Sequence, residues 1–290
     1  MEYVLHILVL IGIYTALAVS LDLLVGQMGL LSIAHGAFYG LGAYTSALLA
    51  VRLGVPFPMG FLAGMTVAAV ASLLISLPSL RLHDDYFVIA TFGFQMILVS
   101  IFNNWIDLTR GPLGIPGIPR PSLFGWTVQS QVGFVVISTV LAALAYTVVG
   151  RITWSPFGRV LRAIREDEVF AEAVGKSTLC FKATAFAVSA ALAAAAGSLY
   201  ACYMSFIDPT SFTVMESILV ISIVIIGGTG SVWGPLVGAA VLVTLPEALR
   251  FLGLPSSVAA NLREIFYGCL LVAMMMKRPR GLLGQYGFGR

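Results

Sequence analysis

The sequence predicts an all-α fold, a polytopic transmembrane helical bundle, and three observations lead there. Of 290 residues, 59% are hydrophobic and only 10% carry a charge, against about 45–50% and about 25% in soluble domains. Thirteen acidic and sixteen basic groups cannot cover a water-soluble body of this size, so the excess apolar surface faces lipid and a cytosolic enzyme is excluded. The apolar runs are long and continuous, rich in Leu, Ala, Val and Ile, where a membrane barrel would alternate in short segments.

Taken in order, the spanning runs are Val4 to Leu24, Ile33 to Val51, Pro58 to Leu77, Tyr86 to Phe102 and Val132 to Val149. Phe181 to Phe206, Met215 to Ile226, Val232 to Leu249 and Ile265 to Met276 follow. This predicts a single transmembrane domain over residues 1–290, with about 8–10 membrane segments including broken or re-entrant helices. The Met215 and Ile265 runs fall short of a full span, so each is a half-helix or borrows flanking residues such as Leu262 or Gly227. Met1-Glu2-Tyr3 lacks the basic start of a signal peptide, and the first run is expected as a retained helix.

Two intervals are aqueous by composition. Asn103 to Thr127 (103–127) holds the Pro/Gly-rich stretch Gly111 to Pro119, which cannot be helical throughout because proline removes a donor and fixes φ. Gly150 to Lys182 (150–182) carries Arg151, Arg159, Arg162, Arg165, Lys176 and Lys182, and the tail adds Lys277, Arg278, Arg280 and Arg290. The positive-inside rule makes both basic regions cytoplasmic and the proline-rich loop extracytoplasmic. Four crossings between Lys182 and Lys277 satisfy that parity if Gly227 to Gly230 breaks an apolar stretch in two. The side of the N-terminus stays open. A net charge of +3 is too mild for a nucleic-acid partner. Cys180, Cys202 and Cys269 have neither disulfide-framework nor metal-ligand spacing and read as packing residues.

Gly26-Gln27-Met28-Gly29 and Gly227-Gly228-Thr229-Gly230 echo one another near opposite ends of the chain. Each opens a row of small residues at helical spacing: Ser32, Gly36 and Gly40 in one case, Gly230, Gly234 and Gly238 in the other. Such rows let helices approach closely, and glycine breaks at corresponding places in two halves point to a transporter's central site and an inverted repeat. Two readings stand side by side: re-entrant breaks lining a pathway, or tight turns with packing glycines.

In the basic loop, Ser155 and Pro156 form a helix start. Phe157, Val160, Leu161 and Ile164 make one apolar stripe, with Arg159, Arg162 and Arg165 away from it. Asp167 is placed to cap a second short helix, and Gly175 to stop it. An amphipathic pair of this kind lies on a membrane or docks into a partner. The acidic cluster from Glu166 to Glu172 favours docking, because anionic headgroups repel it. Gly175-Lys176-Ser177-Thr178 is not a nucleotide loop: the required earlier glycine is Phe170, and no strand precedes it.

These residues carry a family resemblance. Gly26-Gln27-Met28-Gly29-Leu30-Leu31-Ser32-Ile33-Ala34-His35-Gly36-Ala37-Phe38, continuing to Gly42-Ala43-Tyr44-Thr45, resembles the first signature of branched-chain amino acid ABC transporter permeases of the LivM-like branch. Phe157 to Glu166, with Glu172-Ala173-Val174-Gly175, is similar to that family's cytoplasmic coupling region. The spacing to the glycine is shorter than in its EAA-type motif. Gly227 to Pro235 resembles its third signature. The resemblance implies half of a permease heterodimer, two ATP-binding cassette subunits that bind the ATP, a periplasmic binding protein, and a bacterial or archaeal inner membrane. It implies ATPase coupling through Phe157, Arg162, Ile164, Glu166, Glu172, Ala173 and Gly175, and no cofactor on this chain. The family often has a Gly-Glu pair where this chain has Gln95-Met96. That departure leaves urea or short amides as an alternative substrate to branched-chain amino acids.

Polar groups inside the bilayer are costly and hence functional candidates. Ser32, His35, Thr91, Gln95, Gly227, Gly228 and Ser231 are the substrate-pathway candidates. His35 is read as sharing a helix face with Ser32 and Tyr39. Thr91 and Gln95, four apart on one face, serve either a passing zwitterion or a neighbouring helix. Asp22 and Glu216 are expected near run ends, in interfacial water. No nucleophile–base pair, carboxylate pair or metal cluster is present to make an enzyme. An ion-coupled carrier, the remaining alternative, needs more buried carboxylates than this chain supplies.

Overall fold

A computed structural model of the chain describes residues 2–80, 84–123, 126–250, 256–277 and 281–284. Arg278, Arg280 and Arg290 of the basic tail lie outside the described residues. In chain order the helices are α1 (Glu2–Met28), α2 (His35–Leu53), α3 (Phe57–Ser79), α4 (Asp84–Asn104), α5 (Ile106–Thr109) and α6 (Gln131–Trp154). They continue with α7 (Pro156–Glu166), α8 (Glu168–Ala173), α9 (Thr178–Met204), α10 (Val214–Gly227), α11 (Gly234–Arg250) and α12 (Ser256–Lys277). Every apolar run read from the sequence is a helix. Those of α1, α3, α4, α6 and α9 are long and apolar enough to cross a membrane; the 27 residues of α1 span about 40 Å. The run at Ile265 proves full-length, because α12 takes in Leu262, whereas α10 stays at 14 residues.

The proline-rich segment breaks up as its composition dictates. It holds α5, a 3-10 turn at Gly111–Leu113, and the short strands β1 (Ile115–Pro116), β2 (Ser122–Leu123) and β3 (Trp126–Thr127). After α9, β4 (Phe206–Ile207) pairs antiparallel with β1, Ile115 opposite Ile207. This strand pair ties the far end of α9 to the segment after α4.

Side-chain contacts fix the helix directions. α1 and α9 are antiparallel: His6 hydrogen-bonds Tyr203 at 2.5 Å near one end, and Ser189 donates to the Ser20 carbonyl farther along. α2 runs parallel to α9, from the His35–Ser189 contact at 3.1 Å to Ser198 donating to the Gly42 carbonyl at 3.1 Å. Met28, Trp154 and the α7–α8 loop gather at one end, here the basic end, and residues 281–284 join them by hydrogen bonds to the carbonyls of Ile226 and Gly227.

The helix α2 starts inside the bundle. His35 stands level with Ser189, which lies about 16 Å into α9. Residues 29–34 therefore leave the end of α1, where Gly29 takes φ +71°, and climb back inward as irregular chain. From the opposite end, residues 205–213 descend after α9, so that α10 also begins within the bundle. The two helix starts meet, Gly36 N donating to Ser217 Oγ at 2.8 Å. Irregular backbone at this depth is tolerated only when protein surrounds it; Leu30, Ser32 and Ala34 are indeed buried.

An inverted relation is thus visible, but not the one that the glycine quartets indicate. α1 with its re-entrant segment and α9 with its own are the matching pair, one entering from each end. The two quartets both lie at the basic end, where a Cβ on Gly26 would stand 2.8 Å from Gly230 N. His35 and Ser32 do not share a helix face, because the helix begins only at His35.

Candidate functional site

Two polar clusters organise the bundle. The inner one surrounds the start of α2, whose first N–H groups have no intrahelical acceptor and no water to turn to. Side chains from other helices supply the acceptors. Thr91 Oγ1 accepts from Ile33 N at 3.2 Å and donates to the Val88 carbonyl. Gln95 Oε1 accepts from Ala37 N at 2.5 Å while its Nε2 donates to the Phe212 carbonyl at 2.7 Å. Ser32 Oγ accepts from Ala34 N at 3.3 Å.

Of the two roles read for Thr91 and Gln95, the structure shows the helix-bonding one. Gln95 clamps both re-entrant segments at once. Ser32, His35, Thr91 and Gln95 are all fully buried. Their polar groups hold backbone or neighbouring side chains. One atom is left over: His35 Nδ1 has no hydrogen-bond partner among the described residues. Ser217 and Ser189, which complete this cluster, carry no signal in the sequence beyond being small and polar.

The outer cluster lies at the basic end. α7 is capped by Ser155, whose Oγ accepts from Gly158 N, and α8 by Asp167, whose Oδ1 accepts from Phe170 N at 2.9 Å. Gly175 follows with φ +82°. The caps and the stop fall where the sequence put them.

The facing of α7 does not. Leu161 is fully buried, Ile164 is 4% exposed, and the Phe157 ring packs on Phe181 at 5.0 Å. The stripe holds α7 onto its own bundle, with Ile164 covered within the subunit and Phe157 half-buried there. A helix carrying an apolar stripe beside an unfilled groove of its own chain buries it there first. Arg162 and Arg165 are also turned inward, reaching Gln27 Oε1 at 3.3 Å and the Gly26 carbonyl, the terminal turn of α1. Cations belong at a helix C-terminus, where the carbonyls lack partners.

The outward residues of this loop include Arg159, Ala163, Glu166, Ala173, Val174 and Gly175, with Val169 77% and Phe170 66% exposed on α8. Glu172 is exposed and accepts from Thr178 Oγ1 at 2.7 Å, and Glu168 pairs with Lys182 at 2.6 Å. The exposed pair Val169 and Phe170 was passed over in the sequence because it interrupts an acidic cluster.

Asp22 links this end together. It is 7% exposed rather than interfacial, and its Oδ1 accepts from Gly230 N at 2.8 Å. Arg165 lies within electrostatic reach of it. Asp22, Gln27, Tyr146 and Ser231 line a cavity of about 60 Å³. At the break itself, Gly227 abuts the Gly234 carbonyl and Gly228 takes φ +109°, so the backbone there passes closer than any side chain permits. The break is a real interruption between α10 and α11. Asp22→Leu leaves Gly230 N–H without its acceptor and is expected to destabilise by about 1–3 kcal/mol. Asp22→Asn, which keeps an acceptor oxygen, is expected to cost less. Thermal unfolding in detergent ranks the two.

Long apolar helices, two re-entrant segments meeting within the bundle, and a polar loop gripping one end define a multi-pass membrane transport permease. The sequence matches the family described as "Branched-chain amino acid transport system / permease component" over residues 3–275. It is 37% identical to the high-affinity branched-chain amino acid transport system permease protein LivM of Salmonella typhimurium, over 93% of this chain and 68% of that one. LivM of Escherichia coli is 36% identical with the same coverage. LivH of Salmonella typhimurium, a second permease protein, is 28% identical over 94% of this chain and 91% of that one. No solved structure matches. The chain belongs to the branched-chain amino acid transport system permease family, on its LivM-like side.

Proposed function

We propose that this chain is one of two pathway-forming subunits of an ATP-driven importer of branched-chain amino acids in a bacterial or archaeal cell membrane. The observation that carries the reading is similarity along nearly the whole chain to both LivM and LivH, two permease proteins of one kind of transport system. A homologous second permease, two ATP-binding cassette subunits and an extracytoplasmic binding protein complete the importer. With the basic end cytoplasmic, the start of α1 is extracytoplasmic, as are the proline-rich segment and β4. The chain binds no ATP of its own in this reading, and lipid covers the outward faces of α3, α4 and α6.

Uptake of radiolabelled leucine into proteoliposomes, with and without the ATPases, tests the proposal, and urea as competitor separates the alternative substrate. Uptake by this chain alone under a proton or sodium gradient would overturn it.

The ATPase contact is assigned to α8 and the outer side of α7, since the α7 stripe is used internally. Phe170→Glu is expected to lose the ATPase on co-purification while thermal stability stays unchanged. Burying one large apolar side chain is worth about 1.5–3 kcal/mol, hence about tenfold or more in docking. Ile164→Glu is expected to do the reverse and lower stability first, because its charge would lie inside the subunit. Normal ATPase retention by Phe170→Glu would place the docking surface elsewhere.

A further inference from the structure

A second carboxylate stands within the membrane-spanning part of the bundle. Glu216, in the first turn of α10, accepts from Tyr14 Oη at 2.6 Å. Tyr14 lies in the middle of α1, so this contact is at mid-depth and not at a run end. Glu216 is half-buried, as is Tyr14, while the flanking Met215 and Ile218 are exposed. A half-exposed carboxylate at that depth does not face hydrocarbon; in membrane proteins such groups face a cavity or a subunit contact. The α1–α10 face is therefore turned toward a cavity or a subunit contact and not toward lipid.

Behind Glu216 the site is aromatic. Tyr39 and Tyr200 lie with ring centroids 5.4 Å apart, and Tyr39 is within electrostatic reach of Tyr14, Tyr200 and Glu216. Tyr39 is fully buried, yet its hydroxyl has no hydrogen-bond partner among the described residues. Buried hydroxyls are nearly always satisfied, so this orphan points to a group that occupies the cluster during function.

We propose that Glu216, with Tyr14, Tyr39 and Tyr200, binds the ammonium group of the amino acid as it crosses, its apolar side chain lying along Met215 and Ile218. The chemistry is that of an ammonium among aromatic faces with one carboxylate, beside an apolar wall. This assignment rests on the amino acid reading above and gives it a specific contact, on the segment where α2 and α10 both begin.

The test uses the complete importer in proteoliposomes with saturating loaded binding protein, measuring leucine moved per ATP hydrolysed. Glu216→Gln keeps an acceptor for Tyr14 Oη and is expected to lower that ratio about tenfold, with ATP hydrolysis and thermal stability near wild type. Tyr39→Phe is expected to retain or raise stability and to lower the ratio several-fold. A purely structural role predicts the opposite pattern for Glu216→Gln, in which stability falls and the ratio holds, and an unchanged ratio for Tyr39→Phe. Wild-type ratios in both variants overturn the assignment while wild-type leucine uptake still upholds the amino acid reading. If the wild-type importer moves urea and no amino acid, that reading fails first. A strict sodium requirement for wild-type uptake would give the site to an inorganic cation instead and also overturn the assignment.

Discussion

Gly197→Val is expected to leave little folded permease. Gly197, in α9, lies so close to α2 that a Cβ would stand inside the van der Waals radius of the Tyr39 carbonyl. Gly42 on α2 makes the reciprocal contact with the Ala194 backbone. These are rigid backbone atoms, so the added carbons force the two helices apart rather than turning a side chain aside. Overpacking costs about 1–3 kcal/mol where side chains can yield, and more is expected here. The contact it breaks also carries the Ser198–Gly42 and His35–Ser189 hydrogen bonds. Recovery of monodisperse protein from detergent, compared with Gly93→Ala, measures the effect. Gly93 has open space around its Cβ position in the isolated subunit, and alanine there is expected to stabilise α4 by about 0.5–1 kcal/mol.

Gln95→Leu is the second large effect. The leucine fills a similar volume but strands Ala37 N–H and the Phe212 carbonyl, each fully inside protein and membrane. About 1–3 kcal/mol is expected for each stranded group, with loss of the tie between the two re-entrant segments. Thermal unfolding reads the stability, and limited proteolysis reads loosening around residues 205–213. Met96→Leu, on the neighbouring and exposed position, is expected to change neither. Unchanged stability in Gln95→Leu would mean that the start of α2 finds its acceptors elsewhere.

Much of the bundle was legible before any coordinates. Continuous apolar runs name their own helices, because in lipid each segment must satisfy its backbone within itself. The prolines between Gly111 and Pro119 exclude a helix for the same local reason that Ser155 and Asp167 start one. Gly29 and Gly228 marked interruptions, since only glycine takes a positive φ freely. Less was legible of direction. The stripe of Phe157, Leu161 and Ile164 is a true stripe, but periodicity says only that one face is apolar, not which surface will cover it. Glu216 was misplaced for a related reason: distance along a run measures depth only if the helix starts at the surface, and α10 does not, whereas Asp22 does lie near the end of its run but is covered by the Gly230 turn.

The sequence by itself determined the class, the helices, their caps and breaks, and the family, because each depends on residues near one another in the chain or on ordered signatures along it. The tertiary structure alone decided that the starts of α2 and α10 meet, that Gln95 caps α2 while holding the Phe212 carbonyl, and that Asp22 ties Gly230 to the end of α1. Those contacts join positions up to 208 residues apart. They exist because helix starts buried in a bilayer must take hydrogen-bond partners from whatever helix folding brings alongside, and no local pattern encodes which one that is.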